Sequence, residues 1–432
     1  MLRLRQWCLI VLTCFASTLP APLPRAESAE FFFKDGDVVV MIGDSITEQH
    51  LYSNYVEMWT VTRFPHWKLT FRNVGIGGDT SGGGNARFAR DVLAFKPTAM
   101  TVDFGMNDGR YRAFEEATFN PYMNGLQGMA DQARAASIRT AWITPQPLDD
   151  GAQGPTALTG YNLTLEKFSD GVKTIAEKNG GIFVDQFHPY LTVLDRARKQ
   201  HPKYERITGG DAVHPGPPGQ ALMAASILKG LNFPSFISSA EIDAKSKKVV
   251  SQTNCKVEVE GAAENRLSFN RTDVALPFFP MEAFSILEFA SILDELNEYQ
   301  LKVTGLPEGK YEIQVGGKVV AERTSEQLAN GVNLAAGVLA NGTIADQVKE
   351  VRAAIEKKNR FHHQSIFRGI VLTSLPAWVH EVIPEGELTA KRNELIQKRL
   401  SQLPALDEEV AKALVMKPHR FDIVPKADSD DR

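Results

Sequence analysis

Between residues 31 and 236 the chain alternates short apolar runs with longer stretches at helical spacing, and this restricts the fold more than any other feature. Residues 38–42, 67–73, 98–104, 139–144 and 181–185 read as strands. Residues 86–95, 121–136, 161–179 and 220–231 read as helices, and a polar helical stretch carrying Tyr52, Tyr55 and Trp59 follows the first strand. Strands joined by helix-length crossovers run parallel, and a parallel sheet needs helices on both faces. The first run, Val38-Val39-Val40-Met41-Ile42, shows no polar alternation, as a strand buried on both faces requires. The expected fold is α/β, a doubly wound parallel sheet over residues 27–236.

Gly43-Asp44-Ser45 ends that first strand, and helical spacing resumes after it. A hydroxyl on such a turn stands at the carboxyl edge of the sheet, where open α/β folds bind ligands. Its N–H lies near a helix start, which favours a developing anion. Two other strands end in polar clusters, Gly75-Ile76-Gly77-Gly78-Asp79-Thr80 and Gly105-Met106-Asn107-Asp108. A fourth cluster, Asp211-Ala212-Val213-His214-Pro215, precedes the final helix of the unit. All four can gather at one sheet edge. The glycines do not make a phosphate loop, because the third glycine and the Lys-Ser/Thr ending are missing. No cofactor is expected. The adjacent His362 and His363 diverge on a helix, so no metal site is expected there either.

In this order and on these elements, Gly43-Asp44-Ser45, Gly77-Gly78-Asp79, Gly105-Met106-Asn107-Asp108 and Asp211-Ala212-Val213-His214 resemble the four blocks of the SGNH hydrolases, also called GDSL esterases and lipases. The resemblance covers roughly residues 35–235 and implies a flavodoxin-like doubly wound parallel sheet. The residue types also make chemical sense by themselves. A serine hydroxyl attacks an ester only if a base takes its proton. His214 can do so and then return the proton to the leaving alcohol. It works best with its other ring nitrogen held by a carboxylate, which Asp211 could supply. The resemblance implies a catalytic set Ser45, Asp211 and His214, with an oxyanion hole from the N–H groups of Ser45 and Gly78 and the amide of Asn107. Gly78 is preferred to Gly77 because it stands just before Asp79-Thr80. Asp185-Gln186-Phe187-His188-Pro189 spells the same D-x-x-H-P as the last block. It directly follows a strand and is expected to lack the helix that should come after the catalytic histidine.

The ends and the remainder bound the rest. Arg3 and Arg5 precede an apolar run from Trp7 to Leu19, the layout of a signal peptide over residues 1–26. Its removal takes Arg3, Arg5 and Arg25 and no acid, moving the formal net charge from −4 to −7. A mildly acidic mature chain is a poor partner for nucleic acid, and no later segment is built to insert in a membrane. Cys8 and Cys14 also leave, so Cys255 stands alone without an intramolecular disulfide. Residues 237–425 read as a smaller β-rich domain with inserted and C-terminal helices, and residues 426–432 as a disordered tail. The expected protein is a secreted or periplasmic serine esterase acting on O-acyl, chiefly O-acetyl, esters of carbohydrate such as an acetylated polysaccharide. A lipid or thioester acylhydrolase stands behind that, and a non-catalytic glycan-binding protein is the reading from another class. A pure binder has no need of Ser, Gly, Asn, Asp and His together.

Overall fold

Five strands, β1 (Val38–Gly43), β2 (Thr70–Asn73), β3 (Ala99–Asp103), β4 (Arg139–Ile143) and β5 (Ile182–Val184), pair in parallel in the order β2-β1-β3-β4-β5. This is the flavodoxin-type doubly wound order. The computed structural model describes residues 30–151, 160–201, 203, 206–263 and 266–426. The expected signal peptide lies outside the described residues, as does the expected tail apart from Lys426. Along β1, Val39 and Met41 enter one hydrophobic core, and Val40 and Ile42 enter a second on the other face of the sheet. Burial on both faces accounts for the missing alternation. The order reverses between β1 and β3, and this switch point places the loops after these two strands side by side.

Residues 236–426 build two further sheets. One runs β13 (Val332–Asn333), β10 (Glu298–Thr304), β6 (Phe236–Asp243), β7 (Lys248–Thr253), with β10 and β6 parallel. The other is antiparallel, in the order β12 (Lys318–Thr324), β11 (Lys310–Val315), β14 (His419–Pro425), β9 (Arg266–Asp273), β8 (Cys255–Ala263). The second segment is thus β-rich with C-terminal helices, as expected. Its last strand was not expected: β14 returns from the helical region to the middle of a sheet, and Lys426 donates its N–H to Lys310 O at 2.8 Å. No helix among the described residues is long and apolar enough to cross a membrane.

Two helices differ from the sequence reading. Phe187–Gln200 is a helix, so the Asp185–His188 motif is followed by one after all. Pro189 falls in its first turn, where the missing N–H has no helical partner to lose. The helix Tyr52–Arg63 is far from polar in its surroundings, being buried at every residue except Asn54. Its outer face is covered by the second segment. Leu276 N–H donates to Thr62 O at 2.9 Å, Phe278 packs edge-on against Trp59 at 5.1 Å, and Tyr55 OH donates to Glu282 at 2.9 Å.

Glu57 on this helix is 2 % exposed and pairs with Lys358, 1 % exposed, of the helix Gly342–Arg360. Asn359 Nδ2 donates to the other Glu57 oxygen at 2.7 Å. Removing one partner leaves a dry, unpaired charge, which costs about 3–5 kcal/mol. Lys358→Met should therefore lower stability by about that amount in a denaturant titration, and adding Glu57→Leu should recover much of it. A single variant as stable as the parent would show that water reaches the pair.

Candidate active site

The junction after β1 is built by close contact. A Cβ on Gly43 would stand 2.6 Å from Asp103 O and closer still to Thr47 Oγ1, so only glycine lets the next turn pack against β3. Asp44 caps that turn, its Oδ1 accepting Ile46 N–H at 2.9 Å, and Ser45–Glu48 is the resulting one-turn helix. Ser45 stands half-buried at its start. Its Oγ lies 2.9 Å from His214 Nε2, and His214 Nδ1 lies 3.1 Å from Asp211 Oδ2.

The loop carrying this pair is held from several sides. Asp211 Oδ1 accepts the N–H of His214 at 2.7 Å and of Val213 at 2.8 Å. Gln146 Nε2 donates to Val213 O at 3.2 Å, and Asp149 N–H to Ala212 O at 3.2 Å. Partial burial pushes the Asp211 carboxyl upward, but the N–H groups of His214 and Val213 outweigh it and hold the group below the usual carboxylate range. The Asp211 side chain is 64 % exposed, so its grip on the imidazole comes from this hydrogen-bonded turn and not from burial.

Gly78 lies in the left-handed region at φ +72°, a conformation open to glycine. Among the described residues no protein group accepts the backbone N–H of Ser45 or Gly78. Asn107 Nδ2 donates to Asp79 O at 2.9 Å, with a longer contact of 3.4 Å to Asp44 Oδ2, while its Oδ1 accepts Tyr111 OH at 3.0 Å. The amide is therefore fixed beside the Asp79–Thr80 peptide with one N–H only weakly engaged. Arg110 and Tyr111, at φ +54° and +55°, are consecutive non-glycine residues in the left-handed region. That strain sits next to the site and aims Tyr111 at Asn107.

Several supporting residues escaped the sequence reading. Arg87 donates to Asp79 at 2.7 Å, to Val74 O at 2.7 Å and to Gly43 O at 3.1 Å, tying the first two blocks together. Ser81 donates from N and Oγ to Asp108 at 3.0 and 2.8 Å, tying the second block to the third. Burial pushes Asp44 up to about 7 and Asp108 up to about 6, and Asp103 well above the usual range. The carboxyls under the Ser45 helix thus carry less charge than their number suggests. A fully ionised cluster there would oppose an oxyanion above it. No group of three or more His, Cys, Asp or Glu with metal-binding geometry occurs among the described residues.

Comparison with known proteins gives a consistent picture. The model of the GDSL-like Lipase/Acylhydrolase family matches residues 41–222. An acetylxylan esterase from Geobacillus stearothermophilus is 26% identical over 220 residues, which cover 46% of this chain and 95% of that protein. Among solved structures, a gut microbial diltiazem-metabolizing enzyme superposes with a TM-score of 0.77 at 23% identity, covering 91% of this chain and 98% of that one. That likeness extends the shared fold beyond the parallel sheet into the second segment.

Proposed function

Because residues 41–222 form a domain of the GDSL-like lipase/acylhydrolase family, the SGNH hydrolases, and the chain is a serine ester hydrolase, we propose that it removes O-acyl, chiefly O-acetyl, groups from carbohydrate outside the cytoplasm. The observation that carries the mechanism is the contact of Ser45 Oγ with His214 Nε2 at 2.9 Å, with Asp211 on the opposite ring nitrogen. His214 accepts the Ser45 proton as Oγ attacks the ester carbonyl. The carbonyl oxygen becomes an anion facing the N–H groups of Ser45 and Gly78 and the amide of Asn107. Collapse breaks the bond to the alcohol, which leaves with the proton held on His214. Water then repeats the sequence on the acyl-serine, releasing the acid and restoring Ser45.

The carbohydrate part of the reading is supported by the similarity to an acetylxylan esterase over nearly all of that enzyme's length. The test is hydrolysis of acetylated xylan, p-nitrophenyl acetate and a phospholipid in parallel. The expected result is acetate release from the polysaccharide at the highest kcat/KM. Preference for the phospholipid overturns the carbohydrate assignment, and no hydrolysis of any ester makes the protein a binder.

Asn107 should act on the transition state. Its amide meets a charge that exists only after Ser45 has attacked, so it lowers the barrier without holding the ground-state ester. Loss of one such donor costs about 2.7–4 kcal/mol, or roughly 100- to 1000-fold in kcat. Asn107→Ala should show that loss with KM within a few-fold. A purely structural amide would instead lower the melting temperature and leave kcat per folded molecule unchanged.

A further inference from the structure

The helix carrying Ser45 has a second wall that the ester chemistry leaves unused. Its last residue, Glu48, stands one turn beyond the nucleophile, about 4.5 Å along the axis. The Glu48 carboxylate lies 3.0 Å from where a Cβ on Gly77 would be, so it borders the loop that carries Gly78. From Glu48 a pocket of about 370 Å³ runs between the nucleophile helix and the second segment, faced by Glu356, Arg360 and His363. That size lies within the ~300–1,000 Å³ range of small-molecule sites. His363 belongs to an eleven-residue π-helix, Phe361–Val371, a rare geometry.

Beside the pocket lie unmet hydrogen-bonding groups. His50 lines it at φ +60°, with its ring 4.5 Å from that of His363. Both ring nitrogens of His50 and Nδ1 of His363 are buried without a protein partner among the described residues. These atoms are closed off from the pocket, and Nε2 of His363, which is not among them, is the ring nitrogen that an occupant can meet.

The chemistry of the occupant follows from the lining. Burial lowers the His363 imidazole, so its ring is neutral and its Nε2 offers an occupant either an acceptor or an N–H donor. Glu48 accepts from Arg368 at 2.5 Å and Glu356 from Arg352 at 2.7 Å, so these carboxylates are already paired, and the lining's one arginine, Arg360, does not make the cluster of cations an anion site needs. Carboxylates, amides and imidazoles make a poor wall for an acyl chain. Groups that both donate and accept around a small polar cavity match hydroxyls. We propose that this pocket is a subsite for the polyhydroxylated alcohol of the substrate, a sugar unit, built jointly by the Ser45 helix and residues 356–364. The proposal rests on the carbohydrate reading above and gives the second segment a part in substrate choice.

The test compares kcat/KM for acetylated xylotriose with kcat/KM for p-nitrophenyl acetate. His363→Phe keeps a flat ring against His50 but removes both nitrogens. The ratio should fall about tenfold, the effect of one good hydrogen bond, through a higher KM for the sugar ester. Xylotriose binding to Ser45→Ala, followed by calorimetry, should weaken by the same factor when His363→Phe is added. His363→Gln, which restores a donor and an acceptor, should recover part of the ratio. The melting temperature of His363→Phe should hold or rise, because an unmet buried nitrogen has gone. Should that variant fail to fold, Gln364→Ala, which removes another polar side chain of the same lining, carries the same forecast. An unchanged ratio in both variants, or equal losses on both esters, overturns the proposal. A wild-type enzyme that cleaves p-nitrophenyl acetate but not acetylated xylotriose overturns the carbohydrate reading itself, an outcome read before any variant is made.

Discussion

Ser45→Ala should abolish ester hydrolysis while leaving the fold intact. The attacking atom is gone, and no neighbouring group can replace it: His214 Nε2 then faces a methyl group and has no proton to take. Loss of a nucleophile in such a set costs on the order of 10⁶-fold in kcat, the remainder coming from oxyanion donors and binding. The stability forecast is the opposite. The Ser45 side chain is half-buried, and among the described residues its hydroxyl bonds to His214. The turn itself is held by the Asp44 cap and the packing of Gly43, neither of which the substitution touches. Stability should therefore change by no more than about 1 kcal/mol. Stopped assays on p-nitrophenyl acetate with a denaturant titration of the same sample decide it, and near-parental kcat in a folded variant would remove Ser45 from the chemistry.

The parallel sheet was legible because each strand leaves a local trace. A run such as Val38–Ile42 must be apolar throughout to be buried twice, and the polar cluster closing each strand has few other places to go than the carboxyl edge. The pieces that escaped depend on partners distant in sequence. β14 pairs with β9 and β11, more than a hundred residues earlier, and its short Pro-flanked stretch gives little sign of that. The helix Phe187–Gln200 was obscured by Pro189, which reads as a breaker unless its place in the first turn is known. Arg87 is one arginine among many until the fold brings Gly43, Val74 and Asp79 around it. The residues proposed for the chemistry were thus visible as residue types, and the groups that hold them were not.

His214→Ala should be nearly as damaging as Ser45→Ala, whereas His188→Ala should keep activity within a few-fold. The two histidines are local twins. Asp185 accepts His188 N–H at 3.1 Å and approaches its Nδ1 at 2.8 Å, much as Asp211 accepts His214 N–H at 2.7 Å and approaches Nδ1 at 3.1 Å. His188 is the second residue of the helix Phe187–Gln200 and His214 stands shortly before the helix Pro217–Gly230, so both motifs run into a helix and neither feature separates them. The difference lies across the ring. His214 Nε2 meets Ser45 Oγ at 2.9 Å, while His188 Nε2 faces Glu166 at 3.7 Å on the surface. A base acts only on a proton within hydrogen-bond reach, and an exposed ion pair of the second kind is worth about 0–1 kcal/mol to the fold. Steady-state kinetics on both variants at equal folded fraction settle the assignment: an active His214→Ala beside an inactive His188→Ala would reverse it.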